Sequence, residues 1–141
     1  MGMCSGKIRC LSLAVINKNG KTLVSPGYDE VKKSKFYRLI GGGIEFGEDA
    51  LTALRREIKE ELGLEIENCQ FLETKENIFE FNGDKGHEIC FVFRADLVSE
   101  EIYKQEVVQI IDEPDHQAIW LEINPENISR IKPEGFEEYF I

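Results

Sequence analysis

The chain reads as an α/β fold, a mixed sheet flanked by helices, on three observations. One strongly amphipathic helix occupies residues 50–62. Short runs rich in Ile, Leu, Val and Phe lie on both sides of it, separated by turn-forming Asn, Asp, Gly and Pro. The 141 residues suffice for one domain with a real core, and no repeat, low-complexity tract or linker divides them.

Residues 7–16 and 21–26 are apolar runs joined by Asn17-Lys18-Asn19-Gly20, the pattern of a hairpin. A polar loop over 26–34 follows, then a short strand from Phe36 to Ile40 that leads into Gly41, Gly42 and Gly43. Beyond the helix, residues 65–74 and 76–81 read as two strands. Asn82-Gly83-Asp84-Lys85-Gly86 is a turn, and 87–97 returns as another strand. Residues 117–123 form a late strand. Asn124-Pro125 then starts a short helix with a cap and Pro at the first helical position. Pro133 is expected to open a final helix containing Phe136, Tyr139 and Phe140.

The helix carries the chemistry. Leu51, Leu54, Ile58 and Leu62 recur at spacings of three and four and form one apolar stripe. Asp49 suits the N-cap, and Gly63 suits the left-handed position that ends a helix. Glu57, Glu60 and Glu61 share an arc beside the stripe. Like charges at these spacings destabilise a helix by about 0.2–0.5 kcal/mol per pair, which a neutralising partner would remove. Taken alone, the glutamates read as a solvated acidic face relieved by Arg56 and Lys59. The preceding Gly41, Gly42, Gly43 and Gly47 alter that balance. They let a ligand approach the main chain closely, and a glycine-rich turn beside a helix N-terminus is a ready anion site. Amides suited to phosphate thus stand next to carboxylates suited to a hard divalent cation.

Charge and composition narrow the partners. The net charge is −10, yet the first forty residues are net basic, while the acidic excess gathers between Glu100 and Glu138. A polyanionic ligand therefore meets a basic rim despite the overall sign. Lys35 and Arg38 flank the glycines and are candidate phosphate contacts, whereas Lys18 and Lys21 read as solubilising charges. Nucleic acid as a bulk partner is disfavoured. No apolar run is long enough to span a bilayer, and the N-terminus has neither a secretory nor a myristoylation pattern. Cys4, Cys10, Cys69 and Cys90 make no CxxC pair and no zinc spacing. Cys10 and Cys90 read as small hydrophobes within strands, and a reducing cytoplasm is the expected location.

Gly42, five residues, Glu48, seven residues and then Arg56-Glu57-Ile58-Lys59-Glu60-Glu61-Leu62-Gly63-Leu64 resemble the box of the Nudix hydrolases at every specified position. The motif covers about a sixth of the chain, and its many fixed positions leave little room for a chance match. Ile40 departs from the proline that many relatives carry before the glycines, a difference of loop stiffness. The resemblance implies an α/β/α sandwich with the box loop and helix on one face. It also implies hydrolysis of a nucleoside diphosphate linked to another group, with Mg²⁺ or Mn²⁺ as cofactor. In that reading Glu57, Glu60 and Glu61 bind metal, and Arg56 and Glu48 brace loop and helix through an ion pair. Gly41, Gly42 and Gly43 meet the substrate, and Glu60 is the candidate general base. Glu88, Asp112 and Glu113 are base candidates outside the box, each of which reads more simply as a solvated loop or strand-edge charge. The partner implied is a small nucleoside diphosphate derivative, with room for a homodimer.

The remaining reactive and aromatic side chains fit structural roles. Phe36, Tyr37, Phe46, Phe79 and Phe81 lie near the site in sequence and could stack on a base, but most are expected in the core, as is Trp120. His87 is expected to bond backbone at a strand start and His116 to sit in an exposed loop. The competing class is a nucleotide-sensing module that has lost catalysis, but that reading predicts eroded glutamates or a second domain. A Ca²⁺-binding helix leaves the glycines unexplained. Ile78, Phe79 and Glu80 carry no branch signature. Damaged dNTPs, ADP-ribose, other nucleotide sugars, dinucleoside polyphosphates and capped RNA ends therefore all stay open as substrates.

Overall fold

The computed structural model describes residues 6–111, 113 and 116–140. Cys4 and the base candidate Asp112 lie outside them. The strands are β1 (Ile8–Val15), β2 (Asn17–Lys18), β3 (Lys21–Asp29), β4 (Ser34–Gly43), β5 (Ile66–Phe81), β6 (Asp84–Leu97), β7 (Val107–Gln109), β8 (Gln117–Glu122) and β9 (Ile131–Lys132). The α-helices are α1 (Ala50–Leu62) and α2 (Pro125–Ile128). Single 3-10 turns cover Ile102–Lys104 and Glu137–Phe140.

The sheet is mixed. Its order is β5-β6-β1-β4-β3-β8-β7, with β2 on β3 and β9 on β4. β1 runs parallel to β6 and antiparallel to β4, and β9 runs parallel to β4. The central strand β1 has the continuous apolar run expected of a strand covered on both faces. Leu11, Leu13 and Val15 enter one core with Tyr37, Leu39, Val92, Phe136 and Phe140. Ala14, and Ile16 just past the end of the strand, enter the other beneath α1, with Leu54, Ile58 and Leu62. Alternation along one strand therefore builds both layers of the sandwich.

Helix α1 matches its sequence signals. Asp49 accepts from Thr52 N at 2.8 Å, and Gly63 takes φ 68° with its N–H on Lys59 O at 2.9 Å. The fully buried face is Ala53, Leu54, Ile58 and Leu62, so Ala53 goes deeper than the expected Leu51, which is half-buried. Ser12 Oγ donates to Ala50 O at 2.7 Å and pins the start of the helix to β1.

Several expectations need correction. Residues 66–81 form one strand, not two. Pairing with β6 runs unbroken from Glu73 to Phe81, straight through the expected break at Lys75, and the register shifts fall earlier, between Glu67 and Gln70 and between Phe71 and Glu73. Gly41, Gly42 and Gly43 belong to β4, paired with Leu13, Ser12 and Leu11, so the turn begins only at Ile44. Pro133 opens no helix, and only Glu137–Phe140 coils, as a 3-10 turn. Cys10 is exposed, because it lies beyond Ala50, where the helix covering that face begins, whereas Cys90 is buried. His87 Nε2 meets Glu76 Oε2 at 3.2 Å rather than backbone. Trp120 is half-buried beside Tyr103 and donates to Ile102 O at 3.2 Å. Of the five aromatics expected mostly in the core, only Tyr37 is buried there; Phe36, Phe79 and Phe81 are half-buried and Phe46 is fully exposed. His116 is exposed, with Nδ1 2.6 Å from Glu113 Oε2. No helix among the described residues is long and apolar enough to cross a membrane.

Candidate active site

The site forms where the end of β4, the loop 44–49 and the outer face of α1 meet, and Arg56 is its hub. Its Nε donates to Glu48 Oε2 at 2.7 Å and its Nη2 to Glu48 Oε1 at 2.9 Å, a two-pronged pair whose planar fork lysine could not reproduce. Nη2 also donates to Gly43 O at 2.9 Å, which ties the helix to the end of β4. Nη1 reaches Glu57 Oε1 at 3.0 Å and Glu60 Oε2 at 3.2 Å, with Glu45 Oε1 at 3.8 Å. The loop closes on itself as well, since Glu45 N donates to Glu48 Oε1 at 3.0 Å and Glu48 N to Glu45 O at 3.0 Å.

These bonds set the electrostatics. The Arg56 guanidinium, helped by the Glu45 amide, holds the Glu48 carboxyl down at about 2. Arg56 itself is pushed up, chiefly by Glu48. A carboxylate with a depressed folded-state pKa adds stability above its unfolded value of 4.5, and that stability fades as the pH falls towards 2. Glu48→Gln should therefore flatten the loss of urea resistance between pH 4.5 and pH 2 relative to the parent. An unchanged acid slope would mean that the latch adds nothing to folding.

Two glycines are required by contact. A Cβ on Gly42 would stand 2.3 Å from Glu57 Oε2, so the carboxylate lies flat against the strand only because that atom is absent. Gly41 has φ +147°, and a Cβ there would stand 2.0 Å from the Ser12 carbonyl oxygen. The glycines thus admit protein groups closely, Glu57 on one side and β1 on the other.

The expected residues separate into two places. Glu48, Arg56, Glu57, Glu60, Gly42 and Gly43 come together. Glu61 follows on the half-buried flank of α1, and its carbonyl accepts from Ile111 N at 2.6 Å. Lys59 does not relieve the acidic face, since it pairs with Glu65 at 2.9 Å. Lys35 and Arg38 line a neighbouring cleft of about 550 Å³ with Phe36, Phe79 and Phe81. The cleft floor corrects another expectation. Glu88 is no solvated strand-edge charge: it is 1% exposed, takes Arg38 Nη2 on both oxygens at 3.3 Å, and has Arg9 Nη1 at 3.9 Å. Arg9 joins the two places, because its Nη2 lies 3.9 Å from where a Gly43 Cβ would be. The sequence argument missed Arg9 and Glu45. The available signal for Arg9 was its position two residues before Leu11, on the same face of a buried strand.

The donor set suits a hard divalent cation. Among the described residues no three acidic, His or Cys side chains stand assembled as a ligand shell. Glu57 and Glu60 nevertheless converge on one nitrogen, their side chains 20% and 57% exposed, and both offer only oxygen. Arg56 grips Glu48 and Gly43 through Nε and Nη2. Glu57 and Glu60 can therefore leave Nη1 for a cation while the latch stays closed.

Comparisons with known proteins match the fold. Residues 8–136 match the family model described as NUDIX domain. The chain is similar to an RNA pyrophosphohydrolase of Bartonella clarridgeiae, 32% identical over 79 residues, which cover 52% of this chain and 44% of that protein. The match thus spans less than half the length of that relative. Among solved structures, the chain is similar to a MutT NUDIX hydrolase from Burkholderia pseudomallei at 25% identity and TM-score 0.60, covering 82% of this chain and 84% of that one. A NUDIX hydrolase from Nitrosomonas europaea, at 20% identity and TM-score 0.61 over 91% of this chain and 82% of that one, shares the fold.

Proposed function

The chain belongs to the Nudix domain family, and we propose that it is a metal-dependent hydrolase cleaving a phosphoanhydride bond in a nucleoside diphosphate derivative. The observation that carries this reading is the Arg56 hub. One guanidinium clamps loop, strand and helix, and at the same time gathers Glu57 and Glu60.

Glu57, Glu60 and Glu61 would hold Mg²⁺ or Mn²⁺ in this reading. Such an ion, when bound, polarises a phosphoryl oxygen and makes water a stronger nucleophile near neutral pH. The remaining tasks fall to the chain itself. Arg56 and Glu48 keep α1 in register with β4. Gly43, whose Cβ position meets only Arg9 Nη2 at 3.9 Å, would let the diphosphate come close to the strand end, while Gly41 and Gly42, the other two glycines expected to meet substrate, are filled by the Ser12 carbonyl and Glu57. Glu60, the more exposed carboxylate of the pair on Nη1, would take a proton from the attacking water. Arg38 spends Nη2 on Glu88 and keeps other donors for phosphate, with Lys35 further along the cleft. The partner is a small nucleotide derivative rather than bulk nucleic acid, and the free thiols suit a reducing cytoplasm.

A panel of dNTPs, ADP-ribose, nucleotide sugars, dinucleoside polyphosphates and RNA 5′ ends tests the proposal. The last belongs in the panel because the Bartonella relative is named an RNA pyrophosphohydrolase. At least one substrate should release a nucleoside monophosphate or pyrophosphate with Mg²⁺ or Mn²⁺, and none should do so in a chelator. Binding without turnover under every metal condition would instead favour a nucleotide-sensing module.

A further inference from the structure

Arg9 is a cation with unspent donors. Its side chain is only 18% exposed, yet its one ionic contact among the described residues is Glu88 Oε2 at 3.9 Å, and its guanidinium makes no hydrogen bond with any of them. A guanidinium carries five N–H donors, and donors drawn out of water are normally paired. Glu88 does not supply the missing partner. Both of its oxygens accept from Arg38 Nη2 at 3.3 Å, and it is one negative charge between two positive ones. The group of three therefore keeps a net positive charge, centred on a carboxylate that is 1% exposed.

Arg9 faces the bare end of the box strand. Successive residues of a strand point to opposite faces. Gly42 turns towards α1, where Glu57 Oε2 lies 2.3 Å from the position of its absent Cβ. Gly43 turns the other way, where Arg9 Nη2 lies 3.9 Å from the corresponding position. Pairing of β4 with β3 ends at Leu39, so over residues 41–43 the strand is paired on its β1 side alone. Arg9 and Glu57 thus flank one open strand edge from opposite faces. The contacts hold Arg9 Nη2 and Glu57 Oε2 within about 13 Å of each other, counting one Cα–Cα step of about 3.8 Å between the glycines.

We propose that Arg9 is a phosphate-binding residue whose free N–H groups hold a second phosphate of the substrate, next to the one at Glu57 and Glu60, where the chain of phosphates passes Gly43. The inference rests on the hydrolase reading and deepens it. A cation at the glutamates and a guanidinium across the strand each take one phosphate, so the site selects at least two in a row. Arg9 suits the task better than a lysine would, because its planar fork meets two phosphate oxygens at once.

Calorimetry with inorganic pyrophosphate, in chelator and at about 0.05 M salt to limit screening, tests the assignment. Arg9→Met should weaken pyrophosphate binding at least about tenfold, the loss expected for a charge-assisted pair of contacts. Arg9→Lys keeps the charge without the fork and should lie between parent and Arg9→Met. If Arg9→Met does not fold, Arg9→Lys carries the test, with binding at least about threefold weaker than the parent. Lys21→Met removes one cation outside both places and should leave the affinity unchanged. On a substrate that turns over, Arg9→Met should raise KM about tenfold with kcat changed less than about threefold, the split expected when binding alone is lost. No pyrophosphate binding by the parent, equal affinities of the parent and the Arg9 variants, or an equal loss in Lys21→Met overturns the proposal. The binding readouts need no turnover. An inactive chain whose pyrophosphate affinity still depends on Arg9 sinks the hydrolase reading alone, and an active chain indifferent to Arg9 sinks this assignment alone.

Discussion

Gly41→Ala should be the most damaging single substitution outside the hydrophobic core, lowering stability by about 3–5 kcal/mol. Two causes add. At φ +147° an alanine is strained whatever space it has, which accounts for about 1–3 kcal/mol. Its Cβ would also stand 2.0 Å from the Ser12 carbonyl oxygen, a backbone atom with no rotamer to escape into. β1 and β4 must part where Leu13 pairs with Gly41, in the middle of the sheet. The damage then travels, because Ser12 Oγ anchors the first turn of α1 at Ala50. For a domain whose total stability is about 5–15 kcal/mol, such a loss should lower the melting temperature by roughly 10–17 °C. A urea midpoint equivalent to within about 1 kcal/mol of the parent would show that the strands yield more readily than this contact implies.

What the sequence made legible follows a physical line. Helix α1 was readable residue by residue because its determinants are local: the 3.6-residue stripe, Asp49 and Gly63 all act within one segment. The Arg56–Glu48 pair was readable because both ends belong to one spaced motif, and the structure contains that pair. Glu88 was not readable. A glutamate two residues before Cys90 looks like a strand-edge charge until β1 and β4 bring Arg9 and Arg38 to it from 79 and 50 positions away in sequence. Its burial is decided by three segments at once, and no local pattern records that. Strand β9 escaped notice for a related reason. Two residues have no period, and Ile131–Lys132 becomes a strand only because Tyr37 and Arg38 offer it an edge. The glycines were misread in conformation for an opposite cause. Gly-Gly-Gly suggests a turn by composition, whereas here glycine serves closeness: Gly41 to the Ser12 carbonyl and Gly42 to Glu57.

Glu57→Gln should separate the site's chemistry from its stability. Turnover with Mg²⁺ is expected to fall by at least about 10²-fold if Glu57 is a metal ligand as proposed, because weakening one of a few anionic ligands removes several kcal/mol of charge stabilisation and about 1.4 kcal/mol is tenfold in rate. Folding should change by less than about 1 kcal/mol, since two small effects oppose each other. The variant loses the 3.0 Å pair with Arg56 Nη1, worth about 0.2–1 kcal/mol for a part-exposed ion pair. It also relieves repulsion with Glu60 and Glu61, at about 0.2–0.5 kcal/mol per pair. Arg56 retains Glu48 and Gly43 throughout, so the loop should keep its shape. Gly42→Ala is the matched probe. Its Cβ would press on Glu57 Oε2 from 2.3 Å, and that atom ends a flexible side chain, so the substitution should displace the carboxylate without removing it. If Glu57 acts through its position, Gly42→Ala should reproduce much of the rate loss, while the fold, unlike that of Gly41→Ala, remains close to the parent in stability. Wild-type turnover in Glu57→Gln would remove Glu57 from the ligand set. Wild-type turnover in Gly42→Ala alone would mean that the carboxylate does its work from a rotamer other than the one seen against the strand.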